Sequence, residues 1–407
     1  MANTTLVSLA NIALRGVTMF GRFVLLLVLA NYLAPAEVGL FALITAAVLW
    51  GVYLQGLEFY LFSLRELVAA DPATWALRIR DSFTLYGVVF GGAVVVWVGL
   101  FAAGLLPWQV FGWFVAILAL EHVAQELYRL LNVFGRPLAG SLVLFARSGS
   151  WMYVVAGMMA LDPTQRSLSL VLHAWVIGAG ASVALACVFL RDLPWRGLPR
   201  VDRAWLRRGL SVALPLLAGS LAFRGIALFD RWYLGYASGD TELGVYGFFA
   251  TIAGSLPVLV ESGVGAVLYP KMMKAWQVGD HVAYRAHLRQ LIKAFGGFLS
   301  IAIPLVAIAM VLVVGRLSER IYATQMSVFA VLLASAGVWA AGAVPQYALW
   351  AKQRDRTIIM VSVLGLVVAV ALDLVLVPRY GALGAAWGQL GAMTAMLVAR
   401  VIALRGT

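Results

Sequence analysis

The chain has little charge and almost no cysteine. Of its 407 residues, 12% are charged and 63% are hydrophobic, whereas soluble domains are about a quarter charged and about half apolar. This composition excludes a soluble globular fold and indicates a protein that crosses the bilayer many times. The single cysteine, Cys187, excludes an intramolecular disulfide, and the sequence has no cluster of residues with metal-ligand spacing.

The sequence also lacks the motifs of common enzymes. It has no glycine-rich phosphate loop followed by lysine, which argues against ATP hydrolysis. The predicted outside loops are too short for a domain that would hold a nucleotide sugar, so we expect no enzyme, no metal and no resident cofactor. The net charge of +12 would suggest a nucleic-acid partner in a soluble protein, but orientation in the membrane explains it better, and no nucleic acid is expected.

Hydrophobic runs of about 20 residues, the length that a helix needs to cross a bilayer, number twelve. They predict an all-α polytopic membrane protein of about 12 transmembrane helices. The first run has no basic leader, so we interpret it as a retained helix and not as a cleaved signal. The runs lie near 6–31, 38–62, 82–105, 109–131, 138–160, 167–190, 209–235, 244–268, 290–314, 321–349, 356–377 and 381–404.

Basic residues are unevenly shared between the predicted loops. If the N-terminus is cytoplasmic, the inside segments hold 21 of the 30 Lys and Arg residues, the outside loops hold 5, and 4 lie within helices. Cytoplasmic loops of membrane proteins are enriched in lysine and arginine. We therefore predict that both termini face the cytoplasm.

An internal repeat relates the two halves of the chain. Residues 13–23 and 222–232 are identical at five of eleven positions, and 209 residues separate them. A second pair of similar segments, 37–41 and 242–246, is offset by 205 residues. The alternative is chance similarity between apolar segments, but the shared order of both pairs favours a duplication.

The repeat and the loop charges together predict the domain organisation. The longest strongly basic connector spans residues 191–208 and contains two prolines. We predict a six-helix bundle at 1–190, a basic cytoplasmic linker at 191–208 and a second six-helix bundle at 209–407. Two bundles of the same sense would be related by a pseudo-two-fold axis along the membrane normal, with a cleft between them.

Each copy of the repeat places two arginines seven residues apart, on one face of an apolar helix. A cation near the bilayer centre costs about 2.5–3.5 kcal/mol on insertion scales, so these stripes face protein or water. One interpretation is a cavity for an anion such as a diphosphate, because guanidinium makes two parallel hydrogen bonds to phosphate. The other is structural pairing with buried acids, or snorkelling. The candidate substrate-binding residues are Asn11, Arg15, Arg22, Arg147, Arg224 and Arg231.

Acidic residues and histidine supply the candidates for gating or ion coupling, because arginine does not titrate usefully. The fourth run carries two polar edges, and two further glutamates lie late in the second and eighth runs. The alternative is a charge network at the intracellular end, in which Glu126 and Arg129 neutralise each other and the two further glutamates pair with the arginines. The candidates are Glu58, Glu121, His122, Glu126, Arg129 and Glu261.

Two aspartates receive structural interpretations. Asp230 is next to Arg231 in the sequence, and we expect it to screen the charge of that arginine. Asp373 lies near the outer end of the eleventh run, and we expect a surface or capping acid there.

Several short motifs resemble a known family when they are taken in order along twelve helices. Residues 31–41 resemble the first outside turn of polysaccharide-unit flippases, a branch of the multidrug/oligosaccharidyl-lipid/polysaccharide exporter superfamily. Residues 56–66 look like the exit of their second helix, and residues 230–246 are similar to their seventh and eighth helices. Residues 380–387 look like the turn before their last helix.

The resemblance implies two six-helix bundles whose first and seventh helices line a cationic lumen. The implied function is alternating access that moves undecaprenyl-diphosphate-linked oligosaccharide repeat units from the cytoplasmic to the periplasmic leaflet. It also implies a polysaccharide polymerase and other assembly proteins as partners, and proton or sodium coupling. The alternative is an ion-coupled drug antiporter of the same superfamily, but that branch typically has an acid in its first helix, where this chain has Arg15 and Arg22.

Overall fold

The computed structural model describes residues 2–195, 197 and 199–405, with side chains at 10, 11 and from 13 onward. Within these residues, eleven helices are long and apolar enough to cross a membrane. The last of them, 51 residues long, reverses direction near its middle and supplies two crossings. The described chain therefore has twelve membrane-spanning segments, and the predicted all-α, two-lobe fold class is confirmed.

The first six crossings are built from eight helices. Two of the crossings are continuous with short turns of 3-10 helix, and the fifth consists of two helices joined by a π-helical turn at Ala146–Ser150. The helices are α1 (Ala2–Tyr32), α2 (Pro35–Gly56), α3 (Tyr60–Ala69), α4 (Trp75–Ala102), α5 (Phe111–Val133), α6 (Pro137–Phe145), α7 (Trp151–Leu161) and α8 (Leu168–Phe189).

The second six crossings follow the same plan with different breaks. A π-helical turn at Glu261–Gly265 interrupts the eighth crossing. The helices are α9 (Arg203–Ser238), α10 (Asp240–Ala253), α11 (Ser255–Val260), α12 (Ala266–Gln277), α13 (His281–Val314), α14 (Ile321–Thr324), α15 (Met326–Ala351) and α16 (Asp355–Arg405).

The chain forms two compact units. Unit 1 comprises Met1–Leu33 and Ala47–Leu217, and unit 2 comprises Ala34–Ala46 and Ala218–Thr407. Both α2 and α9 therefore contribute residues to each unit, and the division within α9 falls two residues after Pro215. The domain bounds that were predicted from the sequence stay a prediction.

The reversal inside α16 depends on glycine. Gly381 has φ 55° and ψ −131°, a conformation that side chains with a β-carbon rarely adopt. The two arms then pack closely, because a β-carbon at Gly384 would lie 2.3 Å from the carbonyl oxygen of Leu376. Glu242 of α10 holds the turn by accepting a hydrogen bond from the Ala382 N–H at 2.9 Å, which caps the second arm.

The start of α9 is anchored on unit 1 by an aromatic cluster. Trp205 is fully buried, and its ring lies 5.3 Å from the ring of Phe59. Asp202 caps the helix by accepting the Trp205 N–H at 2.9 Å, and Arg78 pairs with its other oxygen at 3.0 Å. The backbone N–H and the guanidinium lower the pKa of Asp202 below its ordinary value, because both favour the charged carboxylate.

Candidate substrate and ion sites

The polar face of α1 presents two arginines that other side chains leave exposed. Arg15 and Arg22 are both exposed, whereas Thr18 between them is buried. Thr18 donates a hydrogen bond to the Leu14 carbonyl at 2.8 Å. Tyr153 of α7 packs beside this face and donates to the Val17 carbonyl at 2.6 Å. Packing thus covers the side of α1 that faces α7 and leaves the arginines accessible.

The first polar edge of α5 pairs with the π-helical turn of the fifth crossing. Arg147, in that turn, donates from Nε to Glu121 Oε2 at 2.5 Å and from Nη2 to Gln125 Oε1 at 3.0 Å. The other oxygen of Glu121 accepts from Trp175 Nε1 at 2.7 Å. Glu121 therefore neutralises Arg147, and both of its oxygens are used.

The two rows of polar residues approach each other across unit 1. Arg15 Nη2 lies 3.5 Å from the hydroxyl of Tyr128, and Arg22 is close enough to Glu121 and Arg147 for both charges to act on it. Within the described part of the chain, Arg22 makes no hydrogen bond or ion pair. Three arginines and one glutamate leave a net charge of about +2 in this region, which we call the arginine trough.

The second polar edge of α5 is buried and forms a network. Arg129 pairs with Glu126 at 2.5 Å, as the sequence suggested, and the guanidinium lies 3.5 Å from the ring centre of Tyr60. Tyr86 of α4 donates to the other oxygen of Glu126 at 3.2 Å and packs edge-on against His122, with ring centres 4.7 Å apart. These contacts make Glu126 and Arg129 a neutral pair within unit 1.

Several buried polar atoms of α2, α5 and the turn after α2 lack hydrogen-bond partners among the described residues. They are both nitrogens of His122, both polar atoms of Gln55 and one oxygen of Glu58. Glu58 is buried and has φ 56°, a sparsely populated conformation for a residue with a side chain. In the described chain Glu58 forms no ion pair with an arginine, so the expected pairing is not observed for this residue.

In unit 2, the second copy of the repeat is more enclosed. Arg224 is half-buried on α9. Arg231 is also half-buried and donates to the Ala227 carbonyl at 2.9 Å, while the Tyr246 ring centre lies 5.7 Å from its guanidinium carbon. The exposed arginines of α1 thus have no equally exposed counterparts in this copy.

A pair of buried aspartates lies beside this copy. Asp230 and Asp373 are 1% and 0% exposed, and their carboxyl groups lie within hydrogen-bonding reach of each other. Because carboxylates only accept, they bond to each other only when a proton lies between them. Tyr246 donates to Asp230 Oδ2 at 2.8 Å. A β-carbon at Gly388 would lie 2.0 Å from Asp373 Oδ1, so glycine is needed there.

The interpretation of Asp373 as a surface or capping acid was therefore wrong, and Asp230 does more than screen its neighbour. Asp373 turns inward because α16 folds back on itself, which brings its first arm against the glycines of the second. The sequence did contain a signal, since an acid within an apolar membrane segment is a functional candidate by default. That signal was missed because the residue was placed near the end of its helix.

Glu261 and Asn11 complete the predicted set. Glu261 lies in the π-helical turn of unit 2, where the charge that acts on it is that of Arg400. Arg400 is buried and donates to the Gly342 carbonyl at 3.1 Å, so the expected partnership of Glu261 with the repeat arginines is not observed in the described chain. The side-chain oxygen of Asn11 is buried and has no hydrogen-bond partner there.

Neither a family profile nor a curated protein matches the sequence. Solved structures do match. An inward-facing multidrug resistance MATE-family transporter of the MOP superfamily aligns with a TM-score of 0.77 and 13% identity over 97% of both chains. The lipid II flippase MurJ, in an inward closed conformation, aligns with a TM-score of 0.63 and 12% identity over 97% of this chain and 87% of that one. The chain has the fold of these transporters.

A variant of VcmN, a MATE transporter of Vibrio cholerae, supports the same assignment, with a TM-score of 0.57 and 13% identity over 100% of this chain and 99% of that one. The protein is thus a multi-pass membrane protein with a MATE- and MurJ-like fold. At such low identity the likeness establishes the fold alone. The polysaccharide-unit branch, the substrate and the roles of the site residues stay predictions.

Proposed function

We propose that this protein is a flippase for undecaprenyl-diphosphate-linked oligosaccharide repeat units. It moves them from the cytoplasmic to the periplasmic leaflet of the bacterial inner membrane by alternating access. The observation that carries this proposal is the arginine trough, in which Arg15 and Arg22 are exposed on an apolar helix and a net positive charge remains. A charge placed at such cost in a membrane segment calls for a ligand of opposite sign.

The chemistry of the trough suits a diphosphate. Among the described residues, Arg15 has only the neutral hydroxyl of Tyr128 as a partner, so its guanidinium keeps most of its donors for a ligand. Guanidinium binds phosphate oxygens through two parallel hydrogen bonds and stays charged at any physiological pH. Arg147 lends further positive charge once a ligand competes with Glu121 for its guanidinium. The lipid tail stays in the bilayer, and polymerase and assembly proteins receive the flipped unit.

Alanine substitutions of the α1 arginines test this function. We expect Arg15→Ala and Arg22→Ala to abolish surface polysaccharide and weaken undecaprenyl diphosphate binding to the purified protein, while the protein still inserts. Lysine at either position should retain part of the activity, because it keeps the positive charge but loses the two parallel N–H donors of guanidinium. Arg316→Ala, in an exposed loop, is the matched control. Normal export by both alanine variants would contradict the proposal.

For the driving ion, we propose that a proton or a sodium ion binds at the aspartate pair of unit 2. Two buried carboxylates so close together cannot both stay charged without a cation between them. Tyr246 and Gln389, whose oxygens lie 2.9 Å apart, add neutral polar groups to that position. The site is part of unit 2, whereas the arginine trough is part of unit 1, so ion and substrate need not compete for the same groups.

Thermal unfolding of the purified protein distinguishes the two ions. A sodium titration at fixed pH and a pH titration at fixed sodium should each be run on the unsubstituted protein, Asp230→Asn and Asp373→Asn. The ion that binds should stabilise the unsubstituted protein and have less effect on both variants. Asp162→Asn, which removes a half-buried loop acid outside unit 2, should retain the response. An unchanged response in both pair variants would refute this assignment.

An ion-coupled antiporter of small molecules is the second candidate. The buried aspartate pair favours it, because such a pair could exchange one cation for another, and the MATE likeness agrees with that chemistry. A strain lacking the protein would then become drug-sensitive with normal surface glycans. Under the flippase proposal, the same strain accumulates an undecaprenyl-diphosphate-linked intermediate instead.

A further inference from the structure

The polar residues of α1 and α5 follow one spacing. Asn11, Arg15, Thr18 and Arg22 lie at intervals of four, three and four residues, which we call the α1 row. The α5 row repeats these intervals with Glu121, Gln125, Tyr128 and Asn132. Such intervals keep all four side chains of each row on one helix face.

Two observations show that the rows lie near each other. Arg15 contacts Tyr128, and Arg22 lies in the field of Glu121. The residue numbers of both pairs add up to the same value, as antiparallel helices in a single register require. Helix α6 packs against both α1 and α5.

The α5 row keeps neutral hydrogen-bonding groups beside the arginines. Gln125 uses its oxygen for Arg147, and within the described residues its NH₂ group makes no hydrogen bond. The Tyr128 hydroxyl receives the 3.5 Å contact from Arg15 and donates to no acceptor in the part of the chain that the structure describes. Asn132 donates to the Tyr128 carbonyl at 2.7 Å and keeps its oxygen for other partners. Gln125, Tyr128 and Asn132 are all half-buried.

This mixture of donors and acceptors selects one class of ligand. An anion requires donors and a metal cation requires acceptors, whereas a sugar hydroxyl both donates and accepts. The phenol ring of Tyr128 also offers an apolar face to a sugar ring. From Glu121 to Asn132 the row spans about 16 Å at 1.5 Å per residue. That length exceeds what a diphosphate alone would occupy.

We infer that Gln125, Tyr128 and Asn132 form a saccharide subsite for the sugar that is joined directly to the diphosphate. The inference rests on the proposed function, because Arg15 and Arg22 hold the diphosphate next to this row. The α1 row then determines that a pyrophosphoryl lipid binds, and the α5 row determines which first sugar it carries. Nothing in this division of roles requires a sugar contact elsewhere in the chain.

Binding of three probes to the purified protein in lipid nanodiscs, measured by native mass spectrometry, tests the subsite. The probes are undecaprenyl diphosphate and the same lipid carrying N-acetylglucosamine or galactose. We expect at least one sugar probe to bind the unsubstituted protein tenfold or more tightly than the sugar-free lipid. Tyr128→Phe and Gln125→Met should remove most of that preference, while both variants still bind the sugar-free lipid.

Controls separate this inference from the function on which it rests. Tyr153→Phe removes a hydroxyl that bonds only to backbone and should keep the sugar preference. Arg22→Ala should weaken all three probes. If it weakens none, the diphosphate role fails. If neither sugar probe exceeds the sugar-free lipid, or if both α5 variants keep the full preference, the subsite is refuted and the diphosphate role stands.

Discussion

Glu121 offers the sharpest test of the charge balance in the arginine trough. Its carboxylate lies 2.5 Å from Arg147, and the two side chains are only 7% and 14% exposed. Removing one partner of a buried ion pair costs about 3–5 kcal/mol. Glutamine keeps one acceptor oxygen, which can serve either Trp175 or Arg147, so for Glu121→Gln we expect a loss within this range, about 3–5 kcal/mol.

The same substitution should strengthen ligand binding. Removing one negative charge at ~7 Å from a bound anion is worth about 2 kcal/mol at an effective dielectric constant of about 20. That energy corresponds to a gain of about thirtyfold in affinity for undecaprenyl diphosphate. Stability and affinity should thus move in opposite directions, because Glu121 occupies a donor of Arg147 that the ligand would otherwise take.

Glu126→Gln is the matched control, because this glutamate lies on the same helix and is also 2.5 Å from an arginine. Both variants should unfold at a lower temperature, as followed by intrinsic tryptophan fluorescence. Only Glu121→Gln should bind undecaprenyl diphosphate more tightly in native mass spectrometry. Weaker binding by Glu121→Gln, or an equal gain in the control, would refute the idea that Glu121 competes with the ligand.

Three further predictions concern stability. Trp205→Ala should lower the free energy of unfolding by about 3–5 kcal/mol, as expected for a large buried aromatic side chain. Trp108→Ala should lower it less, because Trp108 is 52% exposed. Thermal unfolding of the two variants checks this difference. Gly244→Ala should destabilise the fold, since the added β-carbon would lie 1.9 Å from a neighbouring carbonyl oxygen. Gly296 has open space around it, so its replacement by alanine should be neutral or stabilise the fold by up to about 1 kcal/mol. The pKa of Asp202 is lowered in the folded protein. The charged carboxylate therefore stabilises the fold above the unfolded-state pKa of about 4, and this contribution is lost as the pH falls through the lower pKa of the folded state. Asp202→Asn should flatten the acid side of a plot of unfolding temperature against pH.

The fold could be read from the sequence because its main signal is local. Each apolar run is long enough to span a bilayer, and turn residues mark most of the ends. The division of the 51 residues of α16 into two crossings was also predictable, since Tyr380-Gly381 interrupts the apolar pattern. What could not be read was the sharing of α2 between the units, because this depends on packing of residues that are distant in sequence.

The candidate site was only partly predictable, for a related reason. Helical spacing placed Arg15 and Arg22 on one face and separated the two edges of α5. Helical spacing did not reveal that Glu121 neutralises Arg147, because these two residues lie on different helices and are 26 residues apart in sequence. The pairing of Asp230 with Asp373 was out of reach as well, because 143 residues separate them and only the packing of α9 with α16 brings them together.

The division of α2 between the two units limits where this chain can be split into fragments. Residues 34–46 precede most of unit 1 in the chain and yet group with unit 2. A co-expressed split protein cut in the basic connector would leave this segment on the wrong fragment, and the carboxyl-terminal fragment would lack a piece of its own interior. Chimeras between relatives should therefore exchange residues 34–46 together with the later helices. Otherwise the exchanged unit 2 will lack a segment that packs within it.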